Sequence, residues 1–270
     1  MAAKHNQAKY VLYPRMSDLV LEKMRRESDV FTKKSTLKEI LKVLIEDMPG
    51  FVHTLDFKIF TEEYFWKRAG SHILLPESTN LLNSILRGEL PEPTKHFSLP
   101  FDCFCVGAPK RFSFQGIELP GFQVVLMPYL KAKQFTIHPF YDWLQIDRPL
   151  GVISDEASES DRCLVLSYRD DSDMGYVRSL VTEDKFGEIL RCETVEEYRQ
   201  IVGDIATFES VTLDERELAI QWLAFKIVIG IGTRFGETDG ECITPGFPGS
   251  TPPQLINRRP EHNPQYSTFR

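Results

Sequence analysis

Apolar residues recur at helical spacing at both ends of the chain and at strand spacing in the middle. From Ser17 to Glu27, Leu19, Val20, Leu21 and Met24 gather on one side of a helix. Thr36 and Glu39 form a Thr-x-x-Glu capping box ahead of LKEILKVLIEDM, where Leu37, Ile40, Leu41, Leu44 and Ile45 make an apolar stripe. Pro49-Gly50 ends it. TEEYFWKRAG and PESTNLLNSILRG predict two further helices closed by Gly70 and Gly88, with Pro76 suited to a first turn.

The period changes after PEPTKHFSLP. FDCFCVGA, RFSFQGIEL, FQVVLMPY and KQFTIH are short, rich in Phe and Val, and punctuated by Gly and Pro, the pattern of an antiparallel meander. CLVLSYR and GYVRSLV flank DDSDM and predict a hairpin turning at 171–175. The stretch Asp142 to Asp161 reads as an exposed loop. Helical spacing then returns. Thr182 can cap TEDKFGEILR, and Thr194 with Glu197 and Thr212 with Glu215 repeat the capping box. From Pro245 onward six prolines and the absence of any periodicity predict an extended tail.

This pattern predicts an α+β fold, an antiparallel sheet of about five or six strands packed by helices from both ends of the chain. The regions are helices over 1–95, the meander and hairpin over 96–181, helices that pack on the sheet over 182–236, and the Pro-rich tail over 237–270.

One stretch, IVIGIGTRFGETDGEC at 227–242, has the look of a phosphate-cradling loop. A dinucleotide loop needs Gly-x-Gly-x-x-Gly to open a helix. Here Phe235 stands where the third glycine belongs, and Pro245, Pro248, Pro252 and Pro253 follow. A P-loop would need Gly-Lys-Ser/Thr. Upstream, Leu218, Trp222, Phe225 and Ile229 keep helical spacing, and apolar residues fill most other faces. The stretch therefore predicts a central buried helix capped at Thr212, with Gly230 and Gly232 permitting close packing and Gly236 ending it.

Composition narrows the class. Of 270 residues, 42% are hydrophobic and 26% charged, enough apolar content for a substantial core. The longest apolar run, Leu218 to Ile231, is interrupted by Gln221 and Lys226, and the N-terminus lacks a signal-peptide core, so a cytoplasmic protein is expected. Five scattered cysteines predict free thiols. The net charge of −7 argues against general nucleic-acid binding. Residues 1–50 carry ten basic and seven acidic side chains, residues 151–217 seven basic and eighteen acidic. Such asymmetry can steer a partner.

Candidate chemistry is sparse. Cys103 and Cys105 share one strand face near His96, but a second ligand pair for zinc is missing. Asp170, Asp171 and Asp173 begin a calcium-loop pattern that Met174 and Val181 break. No histidine belongs to a metalloprotease motif, and Gly-x-Ser-x-Gly is absent. No cofactor, metal or catalytic residue is predicted.

Helices first, then a Leu99-Pro100-Phe101 strand entry, a meander, a hairpin and a long late apolar helix: this order resembles the layout of uncharacterised proteins of phages and mobile elements over roughly half the chain. No diagnostic residue accompanies the resemblance, which implies only a role in interacting with host components. The expected function is a non-enzymatic protein-interaction module, an inhibitor or regulator. It would use the acidic surface at Glu193, Glu196 and Glu197 and a C-terminal arm carrying Arg258, Arg259, Tyr266 and Phe269, which could also self-associate. The alternatives are a metal-dependent nucleic-acid or nucleotide hydrolase and a phage assembly component.

Overall fold

Strands drawn from distant parts of the chain meet in one twisted sheet with helices on both faces. The computed structural model describes residues 10–27, 29–32, 34–48, 50–51, 54–89, 97–128, 142–145, 162–169, 176–203, 214–246 and 264–270. The strands are β1 (Tyr10–Val11), β2 (His72–Pro76), β3 (Cys103–Val106), β4 (Ala108–Pro109), β5 (Ser113–Phe114), β6 (Ile117–Glu118), β7 (Phe122–Pro128), β8 (Arg162–Arg169), β9 (Tyr176–Thr182), β10 (Ile243–Pro245) and β11 (Gln265–Phe269). The helices are α1 (Met16–Glu27), α2 (Leu37–Asp47), α3 (Leu55–Arg68), α4 (Thr79–Leu86), α5 (Phe186–Arg191), α6 (Val195–Val202) and α7 (Glu215–Glu237).

Among the described residues the main sheet has seven strands in the order β10-β11-β2-β3-β7-β8-β9. From β3 to β9 the neighbours are antiparallel, as the middle of the sequence predicts. The expectation of a purely antiparallel sheet is corrected on the other side. β2 runs parallel to β3, and β11 runs parallel to β2.

Both added strands hide in the sequence for physical reasons. Ile73, Leu74 and Leu75 of β2 are buried on both faces, so the run shows no alternation, and Pro76 closes the strand instead of opening a helix. Helix α4 starts three residues later, capped by the Ser78 hydroxyl. β11 lies at the end of the Pro-rich tail, and β10 at its start. RFSFQGIEL is two strands, folded at Gln115 and Gly116, whose positive φ values of 51° and 81° suit a two-residue hairpin. KQFTIH and most of the 142–161 loop lie outside the described residues.

The pleat divides the core. Leu74, Phe104, Val124, Leu166 and Phe269 face α4 to α7, whereas Ile73, Cys105, Val125, Val165 and Leu180 face α1 and α3. A third cluster seats Val20, Leu41, Phe57 and Phe60 between α1, α2 and α3.

The glycine stretch is helical. α7 is buried continuously from Leu218 to Thr233. By length and hydropathy it could cross a membrane, yet 89% of its most apolar window is buried within the protein. Its N-terminal box is formed by Asp214 and Glu217, not by Thr212 and Glu215, because Asp214 supplies the same acceptor two residues on. It also runs past Gly236. The stop is a Schellman turn in which Asp239 and Gly240 take φ of 47° and 87° and the Gly240 N–H donates to the Phe235 carbonyl at 3.0 Å.

Gly232 is where α7 admits another segment. A Cβ there would lie 2.3 Å from the Phe97 ring, and the Ser98 N–H donates to the Gly232 carbonyl. Gly→Ala inside a helix ordinarily adds up to about 1 kcal/mol of stability. Gly232→Ala will instead destabilise the protein by about 1–3 kcal/mol, since the ring must move within a packed core. Urea unfolding measures it, and a gain in stability would contradict this packing.

Candidate functional site

The acidic surface predicted over 193–197 is built on two short helices. After β9 the chain makes a tight turn at Glu183–Lys185, forms α5, and extends at Cys192 before α6. Thr182 stands ahead of the turn without a side-chain capping bond. At α6, Thr194 Oγ1 accepts from the Glu197 N–H at 3.2 Å, while the Glu197 carboxylate accepts from the Glu193 N–H at 2.7 Å, so the predicted box is displaced by one residue. Glu193, Glu196 and Glu197 are all exposed. Ile189, Leu190, Tyr198 and Val202 anchor both helices in the core beside α7.

Between α5 and α6 lies an open groove of about 440 Å³, lined by Glu188, Arg191, Cys192, Glu197, Gln200 and Ile201. Its charge is partly answered locally. Lys185 pairs with Glu188 at 3.1 Å and Arg199 with Glu196 at 2.5 Å, exposed contacts that hold little energy. Below the groove the buried Lys226 Nζ donates to the Cys192 carbonyl at 2.7 Å and lies 5.5 Å from the Trp222 ring centre. Burial lowers the Lys226 pKa, against the pull of Cys192, Glu193 and Glu197.

The aromatic anchors expected on a C-terminal arm have another use. Phe269 is fully buried in the main core, and Tyr266 packs half-buried on the opposite sheet face. Phe269 is therefore removed from any partner surface. A single strand between β10 and β2 gives its ring a drier environment than an arm in water. Arg258 and Arg259 lie outside the described residues.

A second polar centre has no counterpart in the sequence reading. Gln123, Ser167 and Arg178 stand directly in register on β7, β8 and β9, a polar row across an otherwise apolar face. All three meet Glu62 of α3. Arg178 Nε donates to Oε1 at 2.6 Å, Ser167 Oγ to Oε2 at 2.8 Å, and Gln123 Nε2 to the Glu62 carbonyl at 3.0 Å. The Arg178 and Glu62 side chains are only 4% and 2% exposed.

The next residue, Glu63, points about 100° around the helix. It accepts from the Tyr13 hydroxyl at 2.9 Å, from the Ser17 N–H at 3.1 Å and from the Ser17 hydroxyl. Burial raises the Glu63 pKa despite these donors. Burial, helped by the Arg178 charge, pushes Lys58 down to about 8. Glu62 and Glu63 are each only 1% exposed, so the work of this centre is to hold α3 on the sheet. The one signal available was in α3 itself: Phe57, Phe60, Tyr64, Phe65 and Trp66 surround the helix, leaving no side for two glutamates except the interior.

A small cavity of about 50 Å³ opens among Met16, Val20, Lys23, Asp56, Arg169 and Tyr176. That holds a water or two, against the several hundred Å³ of metabolite sites. Burial raises the Asp56 pKa there, and Lys23 opposes it. Asp170, Asp171 and Asp173 lie outside the described residues, as do the histidines other than His72. Among the described residues no three His, Cys, Asp or Glu side chains are placed to hold a metal ion. All five cysteines are free and buried. Burial pushes Cys163 up to about 12 and Cys192 to about 11, which keeps them as thiols.

Compared with family models, with curated proteins and with solved structures, the chain matches none.

Proposed function

We propose that this protein is a non-enzymatic binding module, a regulator or inhibitor, that presents the α5–α6 surface to a protein partner. The observation that carries the reading is the open groove between two short helices fixed in the core, lined by Glu188 and Glu197, with Glu193 and Glu196 exposed on the same short segment. A shallow charged groove on rigid elements suits a protein surface better than a small molecule, which needs enclosure. The Glu193 and Glu196 side chains are exposed and the Glu196–Arg199 pair holds little energy, so reversing them leaves the hydrophobic core in place. Glu193→Lys with Glu196→Lys will reduce partner capture at least tenfold in a pull-down while the melting temperature holds. Undiminished capture by the doubly reversed protein removes this surface from the proposal.

A second reading, a metal-dependent hydrolase, draws on one observation. Arg169 and Tyr176, the paired ends of β8 and β9, both line the cavity with Asp56. Asp56 would then be one carboxylate ligand of the divalent cation. Mg²⁺ or Mn²⁺ at millimolar concentration should raise the melting temperature of the wild type and not of Asp56→Asn. The same melting temperature with and without the ions excludes the reading.

A further inference from the structure

The segment that leads into α1, Tyr10-Val11-Leu12-Tyr13-Pro14-Arg15, crosses the protein at two glycines. A Cβ on Gly121 would stand 2.3 Å from the Leu12 carbonyl carbon and 2.4 Å from the Tyr13 nitrogen. One on Gly107 would stand 3.0 Å from the Leu12 side chain. Neither glycine takes a positive φ, so the missing side chain serves the crossing and not a turn. At Gly121 the two segments meet backbone to backbone.

The ties of this segment are few and local. β1 pairs with β4 over two residues, in a small ladder of its own outside the seven-stranded sheet. By contrast β7 and β8 share seven paired positions within that sheet. The Tyr10 hydroxyl donates to the Pro76 carbonyl at 2.9 Å. Glu63 collects the bonds at the junction with α1, those from the Tyr13 hydroxyl and from the amide and hydroxyl of Ser17. Beside Tyr13 lies Cys105, in the same apolar cluster and near enough for its thiolate to oppose ionisation of the phenol.

We propose that residues 10–15 are a strap that lifts from the folded sheet as a unit, with Glu63 as its latch and Cys105 beneath it. Lifting it breaks a two-residue ladder and leaves the pairing of all seven main strands intact. Segments held in this way open at a lower free energy than the whole domain. The strap then decides when solvent reaches this face of the sheet. It sits among the residues that face α1 and α3, whereas α5 and α6 pack on the other face, so the α5–α6 surface does not depend on it.

Two free, fully buried thiols on β3 separate this opening from global unfolding. Cys105 lies by the strap. Cys103, two residues away, lies by α3, where its sulfur meets Gln123 Nε2 at 3.6 Å. The full chain is treated with iodoacetamide across sub-denaturing urea, and each site is followed by tandem mass spectrometry. Without urea, Cys105 should react about tenfold or more faster than Cys103, as expected for a local opening. The Cys105 rate should change little with urea, because little surface is exposed, while the Cys103 rate climbs steeply. Gly121→Ala drives a methyl group into the strap backbone and should speed Cys105 about tenfold further, with Cys103 and the circular dichroism unchanged. Tyr13→Phe, which removes one latch bond, should speed Cys105 alone by about tenfold. Equal rates at the two thiols in the wild type, or the same steep urea dependence at both, overturns the proposal. So does a folded Gly121→Ala protein with Cys105 still at the wild-type rate. The wild-type series decides by itself if that variant does not fold.

Discussion

Glu62→Ala will lower the unfolding free energy by about 3–5 kcal/mol, because the buried Arg178 then loses the carboxylate it donates to at 2.6 Å. Arg178→Ala will cost about as much from the other side. These are large fractions of the roughly 5–15 kcal/mol that a folded domain possesses. The two losses will not add. Glu62→Leu combined with Arg178→Met removes both charges together and should recover most of the stability that either single change forfeits, since removing the pair also removes its desolvation cost. Urea-unfolding midpoints of the four proteins close the cycle. Additive losses would show that the two side chains do not act as a pair, despite the 2.6 Å contact between them.

Phe269→Ala carries the second large effect, about 3–5 kcal/mol, as a fully buried ring is removed from the main core. Deleting Gln265–Arg270 goes further. It takes away the strand that β10 and β2 share, and with it the bond from the Arg270 N–H to the Cys242 carbonyl. The shortened chain is expected to show no cooperative thermal transition, while a Gln265→Ala control, altering one exposed side chain of the same strand, melts as the wild type does. A truncated protein that melts cooperatively at the wild-type temperature would falsify the placement of β11 inside the sheet.

How far the sequence disclosed this architecture depends on what each segment faces. Capping chemistry is local, so Thr36 with Glu39 and Thr194 with the Glu197 N–H were legible without knowing the fold. α7 was legible because its apolar residues keep helical spacing on every side and the prolines after it exclude a dinucleotide loop. β7, β8 and β9 alternate or run apolar between clear turns. β2 was not legible, because a central strand buried on both faces looks like any short apolar run. β11 was hidden among prolines that say nothing about the five residues after them. The row Gln123–Ser167–Arg178 could not be read at all, since its meaning comes from strand register and not from any spacing along the chain. For the candidate site the surface was legible and its geometry was not. Charges at 193–197 are visible in sequence, but the groove beside them and the Lys226 ammonium beneath depend on how α5, α6 and α7 meet.

The contacts of Glu63 also set an order of events during folding. The amide at the start of α1 and the hydroxyl beside it are satisfied by a carboxyl group 46 positions downstream. A twelve-residue helix is marginal on its own in water. α1 therefore gains a stable first turn only when α3 is already seated, and the phenol of Tyr13 is fixed in the same step. In a refolding experiment followed by hydrogen exchange, the amides of α1 acquire protection no earlier than those of α3, and not as an early local helix.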